Sequence, residues 1–167
     1  MIVLDASVLA NVVGDDGDAG ARARALVSHE ESLAGPDLVD VETVSVLRRR
    51  WLAGTVDDRR FEQAVADLAV LPLVRFPTRA LMRRAFELRA NVTAYDACSV
   101  ALAEVLECPL VTADGHLARA PGLRCPVRLV VDQPREPRVS PCSSGATPAG
   151  SEAMASAPAA LSSSREP

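Results

Sequence analysis

Short apolar runs alternate with longer segments of helical pattern along the first 132 residues of the chain. Five of the runs have the length of β-strands: MIVL, SLAG, PLVRF, PLVTA and VRLVV. Strands that are apolar throughout are buried on both faces, which is typical of parallel sheets covered by helices. The alternation therefore predicts an α/β fold, a three-layer sandwich in which helices flank a central parallel sheet.

Six segments have helical composition: ASVLANVV, DAGARARALVSHEE, PDLVDVETVSVLRRRWLAG, VDDRRFEQAVADLAVL, TRALMRRAFELRAN and TAYDACSVALAEVLE. In the third segment, Pro36 suits the first helical position and Gly54 suits the position after the last turn. Thr78 and Thr93 suit the N-caps of the fifth and sixth segments. These residues predict where the helices begin and end.

The composition supports one domain and changes sharply near Gln133. Hydrophobic residues make up 49% of the chain and aromatic residues only 3%, so Val, Leu and Ala must build the core. Residues 133–167 are rich in Ser, Pro and Ala, with too little apolar surface to offset the entropy of ordering. We therefore expect a folded domain over residues 1–132 and a disordered tail over residues 133–167.

The sequence predicts a cytoplasmic protein that does not contact membranes. No apolar run approaches the roughly 20 residues that span a bilayer, and the start MIVLD lacks the basic region of a signal peptide. The four cysteines, Cys98, Cys108, Cys125 and Cys142, form no C-x-x-C pair. This spacing favours reduced thiols, and a disulfide between Cys108 and Cys125 stays open.

Two carboxylates follow predicted strands directly. Asp5 comes after the first apolar run, and Asp114 closes the run PLVTA. The carboxyl ends of parallel strands meet at one edge of the sheet, where ligands bind. Each Asp would also suit a cap of the segment that follows it, so either residue alone carries little weight.

Two further carboxylates lie on predicted helices. Glu42 falls inside an apolar stripe formed by Leu38, Val39 and Val46, where a salt bridge or a position at the core edge would also accommodate it. Asp96 lies three residues after Thr93, where a capping role is the structural alternative. Four such carboxylates packed together would repel one another unless protons or a cation neutralised them. Oxygen ligands favour Mg²⁺, with Mn²⁺ as a substitute.

Three stretches resemble the PIN-domain family, and specifically the VapC-type ribonuclease toxins of toxin–antitoxin pairs. They are MIVLDASVLAN, PDLVDVETVSVLRR and AYDACSVALAEVLECPLVTAD, and the resemblance covers about residues 1–131. It implies a PIN-like fold and a four-acid catalytic site, which maps onto Asp5, Glu42, Asp96 and Asp114. It also implies that Ser7 and Thr112 support the metal site. Some family members have a further acid shortly after the last Asp, where this chain has His116.

The function implied by the resemblance is Mg²⁺-dependent endoribonuclease activity. Asp5, Asp96 and Asp114 are the expected metal contacts, and Glu42 would bind a second ion or orient the attacking water. The products would carry 5′-phosphate and 3′-hydroxyl ends. The sequence leaves open which RNA is cleaved, which antitoxin binds, and whether one or two metal ions are used.

The RNA backbone needs cationic partners, and all 18 basic residues of the chain are Arg. Without the four site acids, residues 1–132 hold 15 acids and 15 Arg, so the net charge of −4 does not argue against a polyanionic substrate. Tyr95 is a candidate for stacking on a base beside Asp96, with ordinary packing as the alternative. The candidate phosphate contacts on the predicted helices are Arg48, Arg49, Arg50, Arg79, Arg83 and Arg84.

The expected partners are a small antitoxin protein and a second copy of the chain. The helices DLVDVETVSVLRRRWLAG and FEQAVADLAVL have more apolar positions than one buried stripe needs, with Trp51 and Phe61 as candidate exposed anchors. The prediction of a homodimer rests on this excess and on the resemblance. A basic antitoxin side chain placed among the four acids would displace the metal.

Other functional classes fit less well. Receiver domains and HAD-like phosphatases also place acids at strand ends, but both rely on a lysine, and this chain has none. The phosphatases also need an acid two residues after the first Asp, where this chain has Ser7. A non-catalytic interaction module, whose acids serve only as caps, stays open, and metal titration distinguishes it from a nuclease.

Overall fold

The computed structural model of the chain describes residues 1–130, and within them a five-stranded parallel sheet forms the centre. The strands lie in the order β3-β2-β1-β4-β5, so the first strand is the middle one. All four neighbouring pairs are parallel, which confirms the predicted sheet. The strands are β1 (Ile2–Leu4), β2 (Leu33–Pro36), β3 (Leu73–Phe76), β4 (Leu110–Thr112) and β5 (Val127–Leu129).

Helices connect the strands and cover both faces of the sheet. They are α1 (Ala6–Gly14), α2 (Asp18–Ser28), α3 (Val39–Leu52), α4 (Asp58–Val70), α5 (Met82–Glu87), α6 (Ala94–Val105) and α7 (Gly115–Ala118). A single 3₁₀ turn, Thr78–Leu81, precedes α5. The short helix α7 was not anticipated from the sequence, because four residues are too few to show a helical period.

The alternation of side chains along β1 divides the core in two. Ile2 and Leu4 belong to one apolar cluster, which includes residues of α1, α3 and α4, whereas Val3 belongs to another with α5 and α6. All three side chains are fully buried. Successive strand residues point to opposite faces, so a strand that is apolar throughout needs cover on both sides. This is the predicted three-layer arrangement.

Two predicted helix starts are wrong. Pro36 ends β2, because its register pair with Phe76 extends the strand, and α3 begins at Val39. Thr78 is the first residue of the 3₁₀ turn, not an N-cap, and its hydroxyl and N–H both donate to Asp37. By contrast, Gly54 follows α3 with φ of 71°, as its predicted position requires.

The remaining sequence predictions concern the cysteines, the tail and membranes. Cys98, Cys108 and Cys125 are free thiols, with Cys98 and Cys108 buried. Cys142 and the predicted tail, residues 133–167, lie outside the described residues. Within residues 1–130, none of the helices has the length and apolar character needed to cross a bilayer.

Candidate active site

Asp5 is the buried centre of the site, at the point where β1 passes into α1. Its side chain is 4% exposed, and it caps α1 by accepting a hydrogen bond from the Ser7 N–H at 3.3 Å. The same carboxylate also accepts short hydrogen bonds from the Ser7 hydroxyl and, at 2.9 Å, from the Thr112 hydroxyl. A buried carboxylate is tolerated when donors replace the water it has lost.

Ser7 and Thr112, the predicted accessory residues, connect Asp5 to the end of β4. The Ser7 hydroxyl oxygen accepts from the Ala113 N–H at 3.0 Å, and the Thr112 hydroxyl oxygen accepts from the Asp114 N–H at 2.9 Å. Each hydroxyl therefore donates to Asp5 and accepts from the backbone beyond β4. This network fixes the separation between the ends of β1 and β4.

The structure brings three of the four predicted acids together. Asp5, Glu42 and Asp96 each offer a carboxylate oxygen, and these oxygens lie within 4.8 Å of one another. We call these three residues the acid cluster. They come from the end of β1, the first turn of α3 and the first turn of α6, so three separate elements converge on one point.

Asp114 lies outside this tight cluster but close to it. Its carboxylate is exposed and accepts from the His116 N–H at 2.7 Å, so it caps α7. Its charge nevertheless contributes to raising the pKa of Asp96, and both residues line the same cleft. The Asp96 N–H donates to the Thr93 hydroxyl oxygen at 3.2 Å, as the predicted N-cap requires, and the Asp96 carboxylate accepts from the same hydroxyl at 2.7 Å.

Burial and mutual repulsion change the protonation of the acid cluster. Burial, followed by the charges of Asp5 and Asp96, raises the pKa of Glu42 from 4.5 to about 7, and the nearby Arg49 only partly opposes this shift. Burial also raises the pKa of Asp96, assisted by the charges of Asp5 and Asp114 and opposed by its hydrogen bond from Thr93. Buried carboxylates that repel one another bind a proton or a cation more readily than isolated, solvated carboxylates do.

The residues present fit a hard divalent cation. The buried Oε2 atom of Glu42 receives no hydrogen bond from any of residues 1–130. An orphaned carboxylate oxygen beside two other carboxylates is the donor set that Mg²⁺ or Mn²⁺ uses in proteins. No thiol or imidazole belongs to the described acid cluster, which argues against zinc.

A cleft of about 410 Å³ opens beside Asp96 and Asp114. Its other walls include Arg89, Asn91 and His116. Sequence reasoning did not assign a role to Arg89 or Asn91, although both lie in the connection that leads into the Asp96 helix. That proximity in sequence to Asp96 is the one signal that could have identified them.

The predicted phosphate contacts divide into two groups. Arg48, Arg49, Arg79 and Arg83 are exposed. Arg50 instead donates to the Ala10 carbonyl at 3.1 Å.

Arg84 is also engaged inside the domain. It forms a bidentate ion pair with Glu104, with N–O distances of 2.7 and 3.0 Å, and donates to the Gly122 carbonyl. Ion pairing with Glu104 raises the pKa of the Arg84 guanidinium. The internal contacts of Arg50 and Arg84 argue against their predicted role as RNA contacts.

The sequence of this acid-lined fold matches a known family. The family model of the PIN domain matches residues 2–123. The chain belongs to the PIN-domain family. Within that family it is 44% identical to VapC ribonuclease Mb0985 of Mycobacterium bovis, over 78% of this chain and 98% of the relative. It is 39% identical to ribonuclease VapC1 of Mycobacterium tuberculosis, over 77% of this chain and 96% of the relative.

Solved structures share the fold at lower sequence identity. VapC20 of Mycobacterium tuberculosis, described as a toxin that cleaves the sarcin-ricin loop, superposes with a TM-score of 0.57 at 19% identity. That match covers 70% of this chain and 92% of VapC20. The VapBC2 complex of Rickettsia felis matches with a TM-score of 0.55 at 16% identity, over 77% and 98% of the two chains.

The raised pKa of Glu42 predicts an unusual pH dependence of stability in metal-free buffer. The native state holds the Glu42 proton more tightly than the unfolded state, so its contribution to stability is complete below pH 4.5 and is lost as pH rises through about 7. Urea unfolding in EDTA should therefore show a free energy of unfolding that falls across this window. Glu42→Gln should flatten the profile and be more stable than the wild type at pH 8.

A matched control for this prediction is Glu62→Gln, which changes an exposed carboxylate on α4. This variant should keep the wild-type profile. Equal pH profiles for wild type and Glu42→Gln would contradict the assigned electrostatic role of Glu42.

Proposed function

We propose that this chain is the ribonuclease toxin of a toxin–antitoxin pair, and that it hydrolyses RNA phosphodiester bonds at the acid cluster with Mg²⁺. The observation that supports this proposal most directly is the convergence of Asp5, Glu42 and Asp96 within 4.8 Å, with one Glu42 oxygen left unpaired. Relatives named as VapC ribonucleases, matched along nearly their full length, support the choice of RNA. The activity would take place in the cytoplasm, where cellular RNA is exposed to it.

In the proposed mechanism, Asp5 and Asp96 would hold Mg²⁺, or Mn²⁺ as a substitute, and Asp114 would contribute from the adjoining cleft. The bound ion would polarise the phosphate and lower the pKa of a bound water. Ser7 and Thr112 keep the Asp5 carboxylate fixed in position by donating to it. Glu42, whose pKa lies near neutrality, can accept a proton from the attacking water or bind a second ion.

The substrate strand would approach the acid cluster between exposed arginines. Arg49 lies close enough to influence the Glu42 pKa, so its charge would lie near the proposed scissile phosphate. Arg48, Arg79 and Arg83 would hold phosphates farther along the strand. Such contacts position a nucleic acid without reading its sequence, so they leave the choice of RNA to other residues.

Metal binding should stabilise the folded domain. Ligands that bind only the native state add free energy of unfolding by mass action, about 2.7 kcal/mol at a hundredfold excess over Kd. Thermal unfolding with Mg²⁺ or Mn²⁺ should therefore show a higher Tm than with EDTA, and Asp5→Asn should abolish this difference. Glu62→Gln should retain it. A Tm that does not respond to either ion would contradict the proposed site.

RNA cleavage provides the direct test of the proposed function. Incubation with a panel of structured RNAs should give defined cuts with 5′-phosphate and 3′-hydroxyl ends, which EDTA suppresses. Asp5→Asn and Asp96→Asn should each reduce the rate by about a hundredfold or more, because they remove charge stabilisation worth several kcal/mol. Asp114→Asn should have a smaller effect, since Asp114 lies outside the acid cluster. Cleavage that persists in all three variants would remove the proposal.

A second hypothesis is a non-catalytic interaction module whose acids serve only as helix caps. One observation favours it. Asp5 and Asp114 do cap helices, and Asp96 interacts with the cap residue Thr93. Glu42 does not fit that reading, because its half-buried side chain has a carboxylate oxygen that no residue among 1–130 pairs with. The metal titration separates the two readings.

The proposal includes an antitoxin and a homodimer, and the surface between α3 and α4 is the candidate interface. Val41 is 71% exposed there, and together with Val44 and Val65 it lines an apolar groove of about 330 Å³. Trp51 is 39% exposed on the same pair of helices. Phe61 is not the exposed anchor predicted from the sequence, because it packs against the core and against the Trp51 ring at 6.4 Å.

Replacement of this apolar surface should weaken assembly without affecting folding. Val41→Glu should shift the sedimentation profile toward monomer, because it places a charge in an apolar contact. Val70→Glu, an equally exposed position at the end of α4, is the control. The short open reading frame beside the gene should encode a product that co-purifies with the wild type. A monomeric wild type with no co-purifying product would exclude both partners while leaving the nuclease proposal intact.

A further inference from the structure

A second groove, of about 650 Å³, lies between α5 and the start of α6. Its walls are mainly apolar and include Met82, Phe86 and Tyr95. Phe86 is 64% exposed and Tyr95 is 57% exposed. The chain has only five aromatic residues, so the exposure of two of them in one groove needs an explanation. We call this the aromatic groove.

The aromatic groove adjoins the cleft beside Asp96 and Asp114. The two share Arg89, Val92 and Thr93 as walls. The Thr93 hydroxyl donates to Asp96, and Tyr95 directly precedes Asp96 on α6. A ligand that reaches Asp96 from this side therefore passes along the aromatic residues.

Arg89 forms the boundary between the two spaces. Its guanidinium carbon lies 4.1 Å from the centre of the Phe86 ring, a cation–π contact, and its Nη1 donates to the Phe86 carbonyl at 2.9 Å. Arg89 is exposed to solvent, and these two contacts with Phe86 hold its guanidinium group at the edge of the groove. Planar aromatic and guanidinium groups with a positive charge between them are the surfaces on which nucleobases stack.

We propose that the aromatic groove binds one unpaired nucleobase of the RNA strand, adjacent to the phosphodiester bond that the acid cluster cleaves. Phe86 and Tyr95 stack on the base, and Arg89 contacts the phosphate that links it to the cleaved position. This inference rests on the proposed function. Arg89 is a wall of both the aromatic groove and the cleft beside Asp96. Its positive charge supports a nucleic acid as the occupant.

The inference has a consequence for the class of substrate. A base inside a duplex already has both faces stacked, so it cannot enter a groove that offers aromatic rings. The preferred substrate is therefore a loop, a bulge or a single strand. Base stacking tolerates several sequences, so the groove selects unpaired structure more strongly than base identity.

The first experiment uses a pool of short unstructured RNAs of random sequence that contain 5-bromouridine. Irradiation of these RNAs with the full-length wild-type protein in EDTA, followed by mass spectrometry of the peptides, locates the stacked residues. Cross-links at Phe86 or Tyr95 are expected. Cross-links that occur only at other positions would overturn the proposal.

The second experiment measures cleavage kinetics on an RNA that the wild type cleaves. Phe86→Ala and Tyr95→Ala should each lower kcat/KM by about tenfold, whereas Tyr95→Phe should lower it less than Tyr95→Ala, because it keeps the ring. Val105→Ala, an exposed apolar position at the other end of α6, is the matched control. Val105→Ala should behave as the wild type does.

Substrates with an abasic ribose distinguish stacking from other roles of the same side chains. Removal of the base on one side of the cut should slow cleavage by the wild type by the same factor as Phe86→Ala does, and Phe86→Ala should lose no further rate on the abasic substrate.

If Phe86→Ala instead loses the same factor in rate on the normal and the abasic substrate, and its sedimentation also shifts, the groove is a protein interface. Cleavage by Phe86→Ala and Tyr95→Ala at the wild-type rate would remove the base site alone. A wild type without metal-dependent cleavage would remove the proposed function itself.

Discussion

The hydrogen bonds that hold the Asp5 carboxylate below the surface determine the geometry of the site. The side chain lies at the end of the middle strand, and its partners Ser7 and Thr112 belong to α1 and β4. These contacts therefore set the positions of two strand ends and one helix relative to a single charge. Loss of either hydroxyl would leave a buried charge short of a donor, which costs more than an ordinary hydrogen bond contributes.

Repulsion among the carboxylates of Asp5, Glu42 and Asp96 affects both the stability of the fold and the function proposed for the site. Asp5 is well supplied with donors, whereas Glu42 has lost water without gaining a complete set of partners. Burial, followed by repulsion from Asp5 and Asp96, raises the pKa of Glu42, and a bound cation would relieve this repulsion. The positive charge of Arg49 offsets only part of this repulsion. The folded domain therefore keeps a local instability that a ligand can relieve. Functional sites commonly depart from the arrangement that would be most stable.

Local patterns in the sequence predict the sheet and the positions of Asp5, Asp96 and Asp114 at the ends of elements, because each depends on nearby residues. The apolar runs identify strands; Asp5 and Asp114 are N-caps of α1 and α7, and Asp96 lies in the first turn of α6. Predictions that depend on distant contacts are poorer. The start of α3 was misplaced because β3 extends β2 to Pro36, and the internal role of Arg84 depends on Glu104, which lies 20 positions away.

The position of β1 in the sheet has a consequence for the order in which the protein can mature. The first strand to leave the ribosome is the middle strand of the sheet, and it pairs with both β2 and β4. The hydrogen bond from the Thr112 hydroxyl to Asp5, the residue that follows β1, spans 107 positions along the chain. A growing chain that has not yet reached β4 holds Asp5 and Glu42 without the framework that aligns them. Closing so long a loop is slow compared with forming local helices, so the site can be assembled only after β4 has been synthesised.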